Sequence, residues 1–362
     1  MRLSQCRVRR RLLGFSGFLT GYEEIIMSTT ITEKWNVSEA ARKLHEDALV
    51  WDDHAGFEPN PSVDLEILEL WRAAGVNYLS VNVGFDVVDW RQTIKNIGAF
   101  LTWFEKHPDR YVLVRVADDI LRAKRAGKMA ITFDIEGMNS LDGETYMVSL
   151  FYRLGVRQML FAYNLNNLAG GGCHDDDKGL TEFGRRVIEE MNRVGMLVDC
   201  SHTAYRTTME VMEMASAPVV FSHSNPRALF DHGRNIVDEQ IRACATTGGV
   251  VGINGIGRFL SDSQASTKAL VDCICYVADL VGSAHVGIAL DYYPGTIEDL
   301  QKMNPQFWPP SAGYSSGNTT RVSEPMQFPE ITEMLLVRGW AEGDIRNVLG
   351  ENFLRVARSV WK

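Results

Sequence analysis

Short apolar runs, each breaking off at a polar residue, alternate along this chain with helix-length stretches. The runs are ALVWDDH (48–54), NYLSVNV (77–83), MAITFDIEG (129–137), RQMLFAYN (157–164), MLVDCSH (196–202), PVVFSHS (218–224), GVVGING (249–255) and HVGIALD (285–291). A run that is apolar on both faces reads as a strand buried in a parallel sheet. DLEILELWRAAGV, YMVSLFYRLG, TEFGRRVIEEMNRVG, YRTTMEVMEMAS and STKALVDCICYVADLVG supply helical crossovers. Eight strands with helical crossovers are the pattern of an α/β chain closed into a TIM-type (β/α)8 barrel. YVLVRV (111–116) is short and is placed outside the main sheet. A doubly wound open sheet is the alternative. It would want a Gly-rich phosphate turn after a strand, and neither GxGxxG nor GxxxxGK[ST] occurs.

With 362 residues and 45% apolar content, the chain can bury one large core. We assign residues 31–362 to a single barrel domain. A net charge of -9 and a pI near 5.5, with no basic tract in the body of the chain, argue against a nucleic-acid partner. None of the apolar runs approaches the roughly 18 continuous residues of a membrane span. The six cysteines form no CxxC pair, and four of them (Cys200, Cys244, Cys273, Cys275) fall in apolar segments. They read as reduced small hydrophobes in a cytoplasmic protein. Residues 1–30 are set apart as an N-terminal extension. MRLSQCRVRRRLLGFSGFLTGYEEII has a basic start and a glycine-broken apolar run, but no A-x-A site. We read it as an upstream extension of the reading frame, with Met27 as the start. A poor secretory signal is the alternative.

In a barrel of this kind, functional residues sit at the C-terminal ends of the strands. Read in order, those ends carry His54, Glu136, Tyr163 with Asn164, His202, His223, Asn254 and Asp291. His202 and His223 close two successive strands, and neighbouring parallel strands lie about 4.8 Å apart, so the two imidazoles can share an ion. Three His, a Glu and an Asp on one rim are a donor set for zinc or a similar divalent ion. Glu136 would be costly to bury unless a cation or donor faced it.

Beyond these single residues, MLVDCSHT, PVVFSHSNPRAL, GLTEFGRRVIEEMNRVGM, HGRNIVDEQIR, HVGIALD and VLGENFLRVA resemble the renal (membrane) dipeptidase family of the amidohydrolase superfamily. The resemblance runs over about residues 45–360. It implies a (β/α)8 barrel with a binuclear zinc centre, a homodimer, and cleavage of dipeptides that often carry a D-residue at the C-terminal position. It further implies that Glu136 bridges two ions, that His202 and His223 bind the second metal, and that His54 binds the first. Asp291 matches the aspartate that handles the proton of the attacking water. Arg234 in HGRNIVDE matches an arginine that holds the substrate carboxylate, a role suited to a bidentate guanidinium. Asn164 joins the expected substrate contacts.

Two departures stand out. The family's first motif is His-x-Asp, whereas this chain has His54-Ala55-Gly56, so a ligand of the first metal is missing and that ion should be weaker or absent. Strict strand alternation puts Asp52 on the face of His54 and turns Asp53 away, so Asp52 is read as support for the site rather than a ligand. Tyr163 stands where family members commonly carry a histidine. Its hydroxyl can still donate to an oxyanion. The GGGCHDDD loop (170–177) carries Cys173 and His174, which are read as loop residues rather than ligands. The Gly-, Pro- and Ser-rich loop 307–329 is a candidate lid or dimer element. The expected activity is metal-dependent dipeptide hydrolysis. Hydrolysis of a non-peptide amide, lactam or ester, and a non-catalytic metal-binding protein on the same barrel, are the alternatives.

Overall fold

Runs that are apolar on both faces must be packed from both sides, and in the computed structural model of the chain they are. It describes residues 35–295, 297–314 and 320–362. The expected extension over residues 1–30 lies outside the described residues. The strands are β1 (Trp51–Ala55), β2 (Tyr78–Phe85), β3 (Tyr111–Leu113), β4 (Met129–Glu136), β5 (Val156–Leu160), β6 (Leu197–Asp199), β7 (Val219–Val220), β8 (Val251–Ile253) and β9 (Val286–Ile288). β1, β2, β4, β5, β6 and β7 pair in that order, every pair parallel. β8 pairs with β9.

Two single bridges join these sheets into a ring, Phe221 to Val251 and Ala55 to Tyr292. The Asp291 amide donates to the His54 carbonyl at 3.1 Å across the second of them. β3 aside, the ring has the eight strands expected. β3 does not lie outside the sheet. It pairs with Met129–Ile131 of β4, and β5 pairs with Phe133–Glu136, so the two share β4 lengthwise.

The helices start and stop where side chains satisfy their ends. Thr181 accepts from the Gly184 amide to open helix Glu182–Val194, and Gly195 closes it at φ 87°. Helix Thr267–Val281 opens on Ser266 in the same way. One end of the barrel is plugged by apolar side chains. Trp51 stacks on Tyr78 at 3.6 Å between centroids, and Phe353 of the C-terminal helix Asn352–Val360 lies 5.9 Å from Trp51. Gly287 leaves room for that ring, since a Cβ there would run into Phe353. With the floor sealed by apolar packing, the polar chemistry gathers at the other end. Among the described residues no helix is long and apolar enough to cross a membrane.

Candidate metal centre

β1 ends in an irregularity. Its register against β2 slips between Asp52 and Ala55, which breaks the alternation assumed from the sequence. Asp52 therefore does not share the His54 face. Its carboxylate accepts from Trp71 Nε1 at 2.7 Å and from the Leu290 amide at 2.9 Å, tying β1 to a flanking helix and to the segment that follows β9. Asp53 sits among the buried barrel carboxylates, with Asp199 and Asp134 near enough to add to the burial that pushes its own carboxyl up. His54 turns inward at the rim, where its Nδ1 lies 3.1 Å from Asp134 Oδ1. Its ring stacks on that of His223 at 4.1 Å and 9°.

Glu136 closes β4. Gly137 follows it at φ 107°, where any Cβ would strike the Asp86 carboxylate. Asn82 Nδ2 donates to Asp134 Oδ1 at 2.9 Å and to Glu136 Oε1 at 3.1 Å, while Ser80 Oγ donates to Asp134 Oδ2 at 2.6 Å. Burial pushes the Glu136 carboxyl up to about 8 in spite of His54 beside it, so a dication is what would keep it ionised.

The hydrogen bonds fix the tautomers of the other two imidazoles. Asn164 Oδ1 can only accept, so His202 Nδ1, 2.7 Å away, carries the proton. Ser222 Oγ gives its hydrogen to Asp199 and therefore accepts from His223 Nδ1 at 2.7 Å. Both Nε2 atoms are thus lone pairs, and they face one another at 3.0 Å. Burial, with Arg234 and His54 adding to it, drives both imidazoles well below the ordinary histidine range and keeps them neutral. Two lone pairs at that distance repel unless a cation lies between them.

Glu136 Oε2 completes the set at 3.3 Å from His202 Nε2 and 3.5 Å from His223 Nε2. Tetrahedral ligands about 2.1 Å from a common ion stand roughly 3.4 Å apart. The donor spacing therefore fits a divalent ion, and Glu136, His202 and His223 form one candidate ligand group. His54, His223 and Asp291 form another, with His54 Nε2 3.5 Å from Asp291 Oδ1. His54 Nε2 is buried without a hydrogen-bond partner. Burial alone would lower His54, but the Asp134 and Glu136 carboxylates outweigh it and raise the ring well above the ordinary range.

Three of the five non-glycine residues at positive φ among the described residues belong to this rim: Asn164 (62°), His202 (58°) and Asp291 (53°). Such backbone costs on the order of 1 to 3 kcal/mol and persists where the surroundings impose it. Asp291 Oδ2 accepts from Asn254 Nδ2 at 2.9 Å, which holds the carboxylate at the rim. Tyr163 stacks on His202 at 4.3 Å, and the Asp86 carboxylate anchors its backbone amide at 3.1 Å. Asn164 is fully buried. It orients His202 and donates to the Phe307 carbonyl at 2.9 Å.

Arg234 is buried too, donating to Ser224 Oγ at 3.0 Å and to the His223 carbonyl at 2.8 Å. It lines a depression together with His202, and its guanidinium lies 5.8 Å over the ring of Phe259, which lines the cleft that holds Asp291 and Glu136. Cys173 and His174 are not in the ligand groups. Cys173 Sγ lies 3.6 Å from Asn164 Oδ1, and His174 Nε2 bonds the Tyr314 hydroxyl at 3.0 Å. Sequence reasoning missed Asp134, Asp199 and Ser222. Only Asp134 left a signal, standing two residues before Glu136 on the same strand face.

The model of the membrane dipeptidase family (peptidase family M19) matches residues 73–305. The chain belongs to that family. Dipeptidase verJ of Clonostachys rogersoniana is 30% identical over 273 residues, which are 75% of this chain and 65% of that protein. The chain thus spans slightly less than two thirds of that curated relative. Its fold is similar to a crystal structure of an amidohydrolase from Pseudomonas aeruginosa, with a TM-score of 0.82 and 30% identity over 89% of this chain and 99% of the other. A metallopeptidase from Rhodobacter sphaeroides, solved with a phosphinate mimic of the dipeptide L-Ala-D-Ala, shares the fold at TM-score 0.70. It is 19% identical, covering 87% of this chain and all of the other. A family of metallopeptidases and a rim of convergent His, Glu and Asp donors together make this a divalent-metal site.

Proposed function

We propose that this chain is a metal-dependent dipeptidase that hydrolyses the amide bond of small dipeptides, including those with a D-residue at the C-terminal position. The observation that carries the reading is the convergence of His202 and His223 lone pairs on Glu136 Oε2, with Asp291 beside them at the floor of a cleft. The dipeptide mimic held by the Rhodobacter sphaeroides metallopeptidase supports the substrate class.

Zinc suits a mixed imidazole and carboxylate set at this spacing. Glu136, His202 and His223 would hold one ion. His54, with Glu136, would hold a weaker second ion, because Gly56 supplies no carboxylate. Bound zinc lowers the pKa of water towards neutrality and polarises an amide carbonyl.

Asp291 takes the proton of the attacking water and returns it to the leaving amine. Its Oδ2 is occupied by Asn254, which leaves Oδ1 for that proton. Burial, reinforced by Glu136 and Asp291, holds the Tyr163 hydroxyl well above its ordinary range, so it stays protonated and donates to the developing oxyanion. Arg234, whose Nε has no partner, offers a grip for the substrate carboxylate, and Asn164 serves binding by orienting His202. A cytoplasmic homodimer completes the proposal. Gly56 and Tyr163 favour, as a second reading, a non-peptide amide, lactam or ester turned over by the same groups.

The test is Asp291→Asn, with metal content and dipeptide turnover measured together. The expected result is an ion retained on Glu136, His202 and His223, with turnover lower by about 10³-fold. Full turnover in that variant would remove Asp291 from the chemistry. Wild-type turnover that survives exhaustive chelation would remove the metal mechanism.

A further inference from the structure

The cleft above Glu136 and Asp291 is tight. Counted as volume open to the centre of a water, its room is about 50 Å³. At roughly 10 to 15 Å³ for one water on that measure, it takes about four water-sized groups. A glycyl or alanyl residue, with about four or five heavy atoms, is of that size. A leucyl or phenylalanyl side chain would have to displace part of the wall.

That wall is packed against itself. Phe85, Tyr163, Phe259, Trp308 and Tyr314 belong to one buried aromatic cluster, each less than a tenth exposed. Tyr163 lies 5.2 Å from Phe85 and 5.8 Å edge-on from Trp308, besides its stack on His202. Tyr314 meets Phe259 edge-on at 6.3 Å, and its hydroxyl bonds His174 Nε2 at 3.0 Å. The Arg258 guanidinium lies 5.5 Å over the same ring. Asn164 fixes the segment that carries Trp308 by donating to the Phe307 carbonyl. Side chains packed this closely yield poorly to an added group.

Beyond His202 there is more room. Arg234, whose guanidinium lies 5.8 Å over Phe259, and His202 line a depression of about 450 Å³ on the same measure. Small-molecule sites occupy roughly 300 to 1,000 Å³. The other walls of the depression are mixed in charge, with Asp175, Arg227 and Glu239 among them, and Tyr205 there is half exposed.

We infer that the chain selects dipeptides by their N-terminal residue, taking glycine or alanine there and rejecting larger side chains, while the C-terminal residue is free to be large. The inference rests on the dipeptidase reading, in which Arg234 holds the C-terminal carboxylate. That grip sets the C-terminal residue against the depression and leaves the N-terminal residue for the cleft. Phe85, Tyr163 and Trp308 set the size limit. Tyr163 thereby gains a use of its own. Its ring is larger than the imidazole that the family resemblance implies at this position, and it fills the space between Phe85, Trp308 and His202.

L-Ala-L-Phe and L-Phe-L-Ala hold the same atoms in opposite order, and their turnover would be compared in the zinc-loaded full chain. Two phosphinate analogues, with methyl and benzyl groups in the same two orders, would be titrated calorimetrically in parallel. The expected kcat/KM is at least tenfold higher for L-Ala-L-Phe. The analogue with its methyl group on the N-terminal side should bind at least tenfold more tightly. In Trp308→Ala and in Phe85→Leu both ratios should fall at least threefold, with melting temperature reporting that each variant is folded. Should a variant unfold, the wild-type ratios still decide.

A wild-type kcat/KM ratio below tenfold, or a ratio unchanged in both folded variants, overturns the inference. Similar turnover of both dipeptides would do so while leaving the dipeptidase reading in place, and would mean that the aromatic wall moves. If no dipeptide is turned over, the dipeptidase reading falls, and the binding ratio alone decides the size limit at the same tenfold mark. Binding of neither analogue, with no turnover, would overturn both.

Discussion

A Cβ built on Gly56 meets the Tyr293 ring at 3.5 Å and Asp291 Oδ1 at 3.7 Å, which is ordinary contact. The position is not among the glycines at positive φ, and its amide bonds the Tyr292 carbonyl at 3.0 Å whatever the side chain. Gly56→Asp should therefore fold. It would set a carboxylate beside Asp291 and near His54, the neighbourhood where the resemblance implies a metal ligand. We expect the variant to bind a second equivalent of zinc at least tenfold more tightly than the wild type. Competition against a chromophoric chelator measures both stoichiometry and affinity. Unchanged values would mean that the first site is not limited by residue 56.

One scale up, the helix Glu39–Asp47 owes its place to a single imidazole. His45 is buried, with Nδ1 2.8 Å from Thr332 Oγ1 and Nε2 2.9 Å from the Ala74 carbonyl, so it pins the helix to two other elements. Burial lowers this histidine from 6.5 to about 4. Between those values the unfolded chain binds a proton that the folded chain refuses. Stability is therefore lost as pH falls from 6.5, and the loss is complete near 4, on the order of 3 kcal/mol. In urea unfolding at pH 7, 5.5 and 4.5, His45→Gln should show a shallower decline than the wild type. Parallel curves would show that His45 does not carry the pH dependence.

Elements of this kind differ in how readily a sequence announces them. The core strands were legible because a run apolar on both faces has few other places to go, and the rim residues because they end those runs. The slip in β1 was not legible. It depends on pairing with β2, and it alone decides that Asp52 faces a helix while Asp53 and His54 face the barrel. The supports were hidden for the same reason. Ser222 fixes the tautomer of His223 only because β6 and β7 set Asp199 against it across the register.

For the whole molecule, ring closure and metal binding are one problem. The strands β1 to β7 are joined by ladders, and the ring is completed at two seams, β7 to β8, where Phe221 and Gly252 exchange backbone hydrogen bonds with the facing strand, and β9 to β1, where the Asp291 and Gly56 amides donate to the His54 and Tyr292 carbonyls. The candidate ligands come from both sides of the second seam: His54 lies on β1 and Asp291 follows β9, while Glu136, His202 and His223 come from β4 and the segments after β6 and β7. Without a cation this rim gathers facing lone pairs and buried carboxylates, a cost that ligation would turn into a cross-strand tie. An ion that binds only the folded chain adds RT ln(1 + [L]/Kd), about 2.7 kcal/mol at 100 times Kd. Melting of the chelated protein should therefore lie a few degrees below that of the zinc-loaded protein, and the gap should widen with the logarithm of zinc concentration. In His202→Ala/His223→Ala the gap should close, because the donors that face each other are gone. Hydrogen exchange should locate the effect, with zinc protecting the amides of Gly56 and Asp291 at the seam more than those of the apolar floor. Identical melting curves with chelator and with saturating zinc would sever metal binding from the integrity of the barrel.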